Sequence, residues 1–260
     1  QTFNPSIKNS LLKLSKISSS VLDTNQINIK NSFNEIVSLN NSYFSIDIPK
    51  FNSQNTHIKT EILMEIIKLL HGDLKGIEHN NYHDLISLIE NAKTGSKKYL
   101  SGFYCLISYN QAFLYKKEID INTLPLFKGS QKLMIPGEVN LGKWNIKAKL
   151  INISNNSNLD SFKYLNKSPY SETFDISLLE SNLHVRTRRP GDKFVPLGMN
   201  NSKKLKDFMI DSKIPFHHRD RTPLVCTTSG IIWVVGWRIS NWAKLKETNK
   251  QAIQINFNAK

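Results

Sequence analysis

The sequence is poor in the residues that mark several common classes of protein. Its 260 residues contain only 2 cysteines, 11 glycines and 9 prolines, which excludes a disulfide-rich scaffold, a collagen and a low-complexity chain. Two thiols form neither a disulfide framework nor a zinc site, so we expect Cys105 and Cys226 to be reduced residues of the core. The sequence also lacks a run of about eighteen apolar residues and a signal peptide. These absences predict a soluble chain without membrane contact that is located in the cytoplasm, with a plastid stroma as the alternative location.

The chain nevertheless has the composition of a folded protein. Hydrophobic residues make up 39% of it and aromatic residues 10%, and its length favours two compact units. Helical periodicity prevails in the first third, and strand-like alternation follows. We expect an α+β fold with a linker helix at 1–25, a mainly helical middle domain at 26–120 that ends in a β-hairpin, a strand-rich bridge at 121–175, and a small mixed α/β domain at 176–260.

Local signals place the helices of the first part. Asn4-Pro5 is typical of a helix start, and apolar residues at helical spacing follow from Ile7. A second helical stretch surrounds Phe33. A third runs from His57 to Leu70 and should end at Gly72, since glycine is the usual residue after a helix.

Strand and turn signals mark the rest of the chain. Tyr43–Pro49 alternates like a short strand. Apolar runs flank Asn110-Gln111 and Ser229-Gly230, which predicts two hairpin turns at these dipeptides. The polar stretch at 152–161 is expected to be a loop or linker.

Positive charge is concentrated in the last third of the chain. Residues 1–180 hold 20 lysines, no arginine and 16 acidic residues, whereas residues 181–260 hold 9 lysines, 6 arginines and 5 acidic residues. Lysine has A/T-rich codons, as do the equally frequent asparagine and isoleucine, and this accounts for part of the lysine surplus without any function. Arginine does not share that origin, and its rigid guanidinium suits bidentate contacts with phosphate. The asymmetry therefore predicts a polyanionic partner for the C-terminal part.

A basic strand and a tight turn open this C-terminal part. Alternation along NLHVRTR places His184, Arg186 and Arg188 on one face of the strand. Arg189-Pro190-Gly191-Asp192 is typical of a tight turn, because proline fixes one backbone angle and glycine tolerates a positive one.

A short lysine-rich helix is predicted next. Ser202 is a plausible cap, and the first turn is expected to contain Lys203, Lys204 and Lys206. Lysine is unfavourable at the positive end of the helix dipole, but the arrangement suits an anion bound there.

The motifs of this segment follow the order seen in one known family. They are R-x-R-R-P-G-D from Arg186, P-L-G from Pro196, K-K-L-K-D-F from Lys203, I-P at 214–215, R-D-R-x-P-L from Arg219, and an apolar strand that ends G-x-R at Arg238. The segment resembles the C-terminal domain of tRNA(Ile)-lysidine synthase. The helical region from Asn4 to Tyr115 looks like that family's linker helix and middle domain, with weaker motifs.

The resemblance implies a role in tRNA modification. In that family the whole enzyme, a ligase, uses ATP with Mg to adenylate the wobble cytidine of a minor isoleucine tRNA, and lysine displaces AMP to give lysidine. An N-terminal PP-loop domain with an S-G-G-x-D-S motif does this chemistry; the motif is absent here, and Gln1 falls about where that domain would end. The resemblance thus implies a portion that binds the body and acceptor stem of tRNA-Ile and has no catalytic residue, cofactor or metal of its own. A homodimer is left open, as is a free-standing RNA-binding module without catalytic activity.

The resemblance also implies roles for individual basic residues. Matched position by position, the motifs assign phosphate contacts to Arg186, Arg188, Arg189, Lys203, Lys204 and Lys206. Arg219 and Arg238 complete the predicted tRNA-binding set, with an internal ion pair to Asp220 or Asp192 as an equal alternative. For Asp192 itself, pairing with a neighbouring arginine or capping of the turn is favoured over contact with RNA.

Several histidines and tryptophans have competing interpretations. His79 and His83 stand four residues apart on a predicted helix, but no third ligand accompanies them, so we predict no metal site. His217-His218 is expected in a loop, and a hydrolase that uses it would require convergent carboxylates nearby. Trp233 is expected in the core, whereas Trp242 fits core packing and base stacking about equally.

Overall fold

Helices occupy most of the first part of the chain, and antiparallel strands are the main regular secondary structure of the rest. The computed structural model describes residues 7–40, 42–72, 76–117, 119–153, 168–180, 182–245 and 250–260. The chain divides into two compact units, residues 1–121 and residues 122–260. The mixture of helices and antiparallel sheets confirms the expected α+β class. None of the helices within the described residues combines the length and apolar character that a membrane crossing requires.

In the first unit, helices pack against one face of an antiparallel sheet. Its elements are α1 Ile7–Ile36, β1 Val37–Asn40, β2 Tyr43–Asp47, α2 Ile48–Asn52, α3 Thr56–His71, α4 His79–Glu90, β3 Lys97–Leu100, β4 Phe103–Ser108 and β5 Gln111–Lys116. The strand order is β1-β2-β5-β4-β3. Fully buried side chains of α3, such as Leu63 and Ile66, share one core with Phe103, Cys105 and Leu114 of the sheet. Burial of these faces supplies the main stabilising free energy of the unit.

Helix boundaries in this unit follow from capping. α3 begins after Asn55, whose side chain accepts a hydrogen bond from the Ile58 amide at 3.0 Å. It ends at Gly72 with a φ of 89°, which confirms the predicted stop. α1 is continuous over 30 residues, so the two predicted helical stretches form one helix. The predicted start at Asn4-Pro5 lies outside the described residues.

Both predicted hairpins are present, each with its turn one residue earlier than predicted. Ser108 pairs with Gln111, so the β4–β5 turn is 109–110. Thr227 pairs with Gly230, so the second turn is 228–229. In each case the second residue of the predicted turn is instead the first residue of a strand. Most of the predicted loop at 152–161 lies outside the described residues.

The second unit consists mainly of two sheets and a short ribbon. Its strands are β6 Ser130–Lys132, β7 Gly137–Leu141, β8 Trp144–Asn152, β9 Ser171–Asp175, β10 His184–Arg186, β11 Lys193–Phe194, β12 Lys203–Lys204, β13 Leu224–Thr227, β14 Gly230–Val234, β15 Arg238–Ile239 and β16 Gln251–Ala259, with one α-helix, α5 Leu205–Asp211, and 3-10 helices at Ile176–Glu180, Phe216–His218 and Asn241–Ala243. One sheet has the order β15-β14-β13-β10-β6, the other β7-β8-β16-β9, and β11 pairs with β12.

Aromatic side chains join the two larger sheets of this unit. Phe257 of β16 lies edge-on to Trp144 of β8 at 5.7 Å and to Trp233 of β14 at 5.5 Å, measured between ring centroids. Trp233 is 2% exposed, which confirms its predicted place in the core. Because β16 pairs with both β8 and β9, the boundary predicted between 175 and 176 falls inside one compact unit.

An ion pair between Arg186 and Asp192 fixes the turn that follows β10. Both terminal guanidinium nitrogens of Arg186 donate to the Asp192 carboxylate, at 2.8 and 2.9 Å. The same carboxylate accepts a hydrogen bond from the Arg189 amide at 2.7 Å, so Asp192 both pairs with an arginine and caps the turn, as predicted. The two side chains are only 11% and 13% exposed.

The pair changes the acidity of both groups. Burial alone would raise the pKa of Asp192, but the hydrogen bonds from Arg186 and from the Arg189 amide outweigh it and hold the pKa below its ordinary value. The hydrogen bonds to Asp192 likewise raise the pKa of Arg186. A carboxyl whose pKa is lower in the folded state stabilises that state above its ordinary pKa and loses this contribution as the pH falls.

Phe257→Ala tests the packing between the two sheets. Removal of this ring leaves a cavity against two tryptophans, so the free energy of unfolding should fall by about 4 kcal/mol. The neighbouring exposed residue provides a control, since Asn258→Ala should change it by less than about 0.5 kcal/mol. Urea denaturation followed by tryptophan fluorescence measures both, and equal effects would contradict the packing described.

Asp192→Asn tests the buried pair. The variant leaves Arg186 charged and without its carboxylate, so the free energy of unfolding at pH 7 should fall by about 3 kcal/mol. The difference in unfolding free energy from the unaltered chain should narrow as the pH falls below about 4, because the unfolded chain then binds a proton at Asp192 more readily than the folded chain does. It should be lost below the lowered pKa of folded Asp192. Urea titrations at several pH values measure this. Asp211→Asn, at an exposed carboxylate that pairs with Lys203, should cost less than about 1 kcal/mol, and a pH-independent difference for Asp192→Asn would contradict the assignment.

Candidate nucleic-acid interface

A basic cleft of about 490 Å³ lies between the turn after β10 and the start of α5. Its lining residues are Arg188, Arg189, Pro190, Gly191, Asp192, Lys193, Lys204, Leu205, Lys206 and Asp220. Five of them are cations and two are carboxylates. We call this feature the basic cleft.

Backbone hydrogen bonds set the shape of the basic cleft. The Asp192 amide donates to Arg189 O at 3.3 Å, and Gly191 has a φ of 85°, which confirms the predicted tight turn. Lys193 pairs with Lys204 across the β11–β12 ribbon. The Leu205 amide then donates to Asp192 O at 2.8 Å where α5 begins. Two lysines thus lie opposite each other beside the arginine-bearing turn.

α5 is anchored beneath the basic cleft by apolar residues. Leu205, Phe208 and Met209 are buried in a small core, and the ring of Phe208 lies edge-on to that of Phe194 at 5.0 Å between centroids. This packing orients the opposite, exposed side of the helix, which carries Lys206.

The start of α5 differs from the sequence prediction. The cap position is occupied by Lys204 rather than Ser202, because β12 pairs with β11 as far as Lys204 and the helix begins only at Leu205. Of the three lysines expected in the first helical turn, only Lys206 belongs to the helix. The predicted placement of all three lysines in the first helical turn was therefore wrong, because Lys203 and Lys204 belong to the ribbon and Lys204 only caps the helix.

The charges of the basic cleft are only partly neutralised. Arg188 Nε donates to Asp220 Oδ1 at 2.7 Å, and the Asp220 side chain is 75% exposed. Asp192 is engaged by Arg186. Within the part of the chain that the structure describes, no ion pair involves the side chains of Arg189, Lys193, Lys204 or Lys206. The basic cleft therefore carries an excess of positive charge toward solvent.

The predicted phosphate-binding residues occupy different environments. Arg188, Arg189, Lys204 and Lys206 line the basic cleft. Arg186 is buried, 9% exposed, and bound to Asp192, while Lys203 pairs with Asp211 on the exposed surface. Contacts between RNA and the predicted residues stay a prediction, but the guanidinium of Arg186 has a structural partner.

Lys193 lines the basic cleft and was missed from the sequence. It follows Asp192 directly and stands opposite Lys204 in the ribbon. Its position directly after the R-x-R-R-P-G-D motif was the available signal that Lys193 belongs to the site. A two-residue strand is too short to show the alternation of apolar and polar residues by which strands are predicted.

Arg219 and Arg238 lie outside the basic cleft lining. Arg219 is buried, its Nε donates to Ile214 O at 3.1 Å, and its guanidinium lies 5.7 Å from the centre of the Phe216 ring. Arg238 is exposed on β15. The carboxylates suggested as their partners bind other arginines, Asp220 to Arg188 and Asp192 to Arg186. Contact of Arg219 or Arg238 with RNA stays a prediction.

The adjacent histidines hold a segment of the second unit in place. His217 O accepts a hydrogen bond from Asn122 Nδ2, and His218 Nε2 lies 3.1 Å from Thr123 Oγ1. Burial, with the nearby Arg221, lowers the pKa of His218, which favours its neutral form. These contacts describe a structural role for the pair in positioning 122–124.

The cysteines and the His79–His83 pair were the other chemically reactive groups considered from the sequence. Cys105 and Cys226 are free and buried, as expected, and burial raises the pKa of the two thiols to about 12 and about 11, so they are unreactive near neutral pH. The rings of His79 and His83 stack at 4.8 Å. Across the described residues, no group of three or more histidine, cysteine, aspartate or glutamate side chains could hold a metal ion.

The arrangement can bind polyanions. Guanidinium and ammonium groups from two backbone segments converge on one depression, and phosphate oxygens accept hydrogen bonds from both kinds of group.

The sequence comparisons relate the chain to one family of enzymes. Residues 183–256 match the family described as the TilS substrate C-terminal domain. A tRNA(Ile)-lysidine synthase of Caldanaerobacter subterraneus subsp. tengcongensis is 31% identical over 226 residues, which cover 86% of this chain and 46% of that protein. A tRNA(Ile)-lysidine synthase of Clostridium perfringens is 28% identical over 275 residues, which cover 100% of this chain and 55% of that protein.

The chain also matches solved structures. The crystal structure of a TilS C-terminal domain is 27% identical, with a TM-score of 0.41, and the match covers 50% of this chain and 96% of that one. The chain spans about half the length of the synthases it matches. It is therefore related to tRNA(Ile)-lysidine synthases over most of its length, and residues 183–256 belong to the family of their C-terminal substrate domains.

Proposed function

We propose that this chain is the tRNA-recognition part of a tRNA(Ile)-lysidine synthase. The observation that carries the proposal is the basic cleft, whose cations Arg188, Arg189, Lys193, Lys204 and Lys206 all fall within the segment matched by the family. Phosphates of the tRNA backbone would occupy this cleft.

Arg188 has the geometry of an exchangeable phosphate ligand. Its partner Asp220 is 75% exposed, and an ion pair of that exposure contributes only about 0–1 kcal/mol to stability. A phosphate can therefore take the place of Asp220 at little cost. Arg186, in contrast, remains on Asp192 and keeps the turn in shape.

The catalytic step belongs to a different part of the synthase in this proposal. The S-G-G-x-D-S motif expected to bind ATP does not occur within the 260 residues. ATP, Mg and lysine would be bound by an N-terminal PP-loop domain, and the present chain would hold the acceptor stem and body of tRNA-Ile. Its contribution to the reaction is then the orientation of the wobble cytidine through the rest of the tRNA.

A tRNA with an exchanged acceptor stem distinguishes recognition from general polyanion binding. The chain would be titrated at two salt concentrations with the minor isoleucine tRNA and with the same tRNA carrying the acceptor stem of another tRNA. Tighter binding to the native acceptor stem supports the proposal. Equal, steeply salt-dependent binding to both would instead favour a free-standing RNA-binding module.

Removal of two cleft lysines should weaken tRNA binding through electrostatics. The double variant Lys204→Ala/Lys206→Ala is expected to lower the slope of log K against log salt by about two units, about one for each phosphate that a lysine no longer neutralises. The matched control is Lys143→Ala/Lys149→Ala, which removes two exposed lysines from the β7–β8 hairpin of the same unit. Fluorescence titrations over a salt series measure both slopes, and a control slope that falls as far would contradict a site in the basic cleft.

Neutralisation of Asp220 should have the opposite effect. Asp220→Asn releases Arg188 and removes a negative charge from the cleft rim, so tRNA binding should become roughly threefold tighter at low salt, while stability changes by less than about 1 kcal/mol. Asp84→Asn is a suitable control, because it breaks a similarly exposed pair with Lys98 in the first unit. The same titrations read out the effect; weaker binding by Asp220→Asn would assign the carboxylate itself to recognition.

A further inference from the structure

Four tyrosines form a row across the outer face of the sheet in the first unit. The strand register pairs Tyr43 with Tyr115, Tyr115 with Tyr104, and Tyr104 with Tyr99. Directly paired residues share one face of a sheet, so the four rings lie side by side on β2, β5, β4 and β3. We call them the tyrosine row.

The opposite face of the same strands forms the core. Phe103, Cys105 and Leu114 point there and are fully buried. The tyrosine row is therefore not needed to fill that core, and it lies on the side away from α3 and α4.

One end of the tyrosine row is covered and the other end is open. Ile121 and Ile119 pack with Tyr43 and Tyr115 in a small cluster, and Tyr115 is only 5% exposed. Tyr99, at the other end, is 50% exposed. Tyr99 therefore presents an exposed ring that continues a row of aromatic side chains.

Lysines surround the open end. Lys97 Nζ lies 3.6 Å from the centre of the Tyr104 ring, and Lys117 Nζ lies 5.7 Å from the centre of the Tyr99 ring. Both lysines are exposed. The centres of the Tyr99 and Tyr104 rings are 5.0 Å apart, so flat apolar faces and positive charges occur together within a few ångströms.

We propose that the open end of the tyrosine row binds unpaired RNA nucleotides, with a base stacked on Tyr99 and phosphates held by Lys97 and Lys117. Aromatic rings on a sheet surface bind single-stranded nucleic acid in this way, because every base has a flat face and every nucleotide carries a phosphate. The lysines thus select the partner by charge, and the tyrosine ring selects it by the flat shape of a base. The proposal rests on the proposed function for the identity of the partner, but it uses a surface of the other unit and a different part of an RNA.

The test compares the binding of unpaired and duplex RNA by the full chain. The probes are an unstructured RNA of about ten nucleotides, rich in adenine, and a blunt RNA hairpin, each followed by fluorescence anisotropy. Tyr99→Ser should weaken binding of the unpaired RNA about tenfold, as expected for the loss of one stacked base, and should leave binding of the hairpin unchanged. Tyr99→Phe keeps the ring and should bind the unpaired RNA within about twofold of the unaltered chain.

A second pair of variants separates charge from stacking. Lys97→Gln should lower the salt dependence of unpaired-RNA binding by about 0.7 units of slope. Lys68→Gln removes an exposed lysine from α3, on the opposite side of the sheet, and should leave the slope unchanged. Ultraviolet cross-linking followed by peptide mass spectrometry should also place the unpaired RNA on the peptide that contains Tyr99.

The outcomes distinguish this inference from the proposed function. If Tyr99→Ser and Tyr99→Phe bind the unpaired RNA as well as the unaltered chain does, the stacking site is overturned, whatever the hairpin shows. If hairpin binding depends on Lys204 and Lys206 while the Tyr99 variants have no effect, the proposed function stands and only this inference fails. If neither probe binds, this inference fails, and the tRNA titrations decide the proposed function separately.

Discussion

The carboxylate of Asp192 is the constraint on which the basic cleft depends. It accepts two hydrogen bonds from Arg186 on β10 and one from the amide of Arg189, and its own carbonyl accepts the first amide of α5. One residue thereby joins a strand of the main sheet, a tight turn and the start of a helix. If the turn were free to move, electrostatic repulsion would drive the arginines and lysines on either side of it further apart. Their convergence therefore requires the buried ion pair.

Two neighbouring arginines of one motif have different roles, because only one of them forms the buried ion pair. Arg186 is buried and satisfied by Asp192, whereas Arg188, two residues later, lies on the rim with an exposed partner. A buried ion pair adds little net stability compared with apolar packing, but it fixes one geometry when both partners are fully hydrogen-bonded. Arg188 on the rim is not fixed in this way, because its solvent-exposed partner Asp220 is easily exchanged for another anion. In the sequence pattern R-x-R, the first arginine therefore fixes the turn, and the second is available to exchange its partner.

Local signals in the sequence predicted the elements better than their relations in space. Gly72 ended a helix as expected and Asp192 paired with an arginine, because both depend on residues close by in the chain. Strand alternation predicted Arg186 and Arg188 on one face of a strand, but β10 ends at Arg186. The pattern also could not show that β10 lies in the interior of a sheet, where Arg186 becomes buried. The tyrosine row was equally hidden: Tyr43, Tyr99, Tyr104 and Tyr115 are far apart in sequence, and only the register of four strands brings them together. The pairing of Lys193 with Lys204 could not be predicted either, because the two strands of the ribbon are too short to show an alternating pattern.

The position of β16 has a consequence for the synthesis of the protein. This strand lies between β8 and β9 and carries Phe257, which contacts tryptophans of both large sheets. Among the strands of the described residues, it is also the one that is translated last. Until then β8 and β9 have no common neighbour, and their unpaired edges are exposed to other chains. This sheet can therefore form only after β16 has been translated, and a product shortened before β16 would lack the centre of the sheet rather than a dispensable edge.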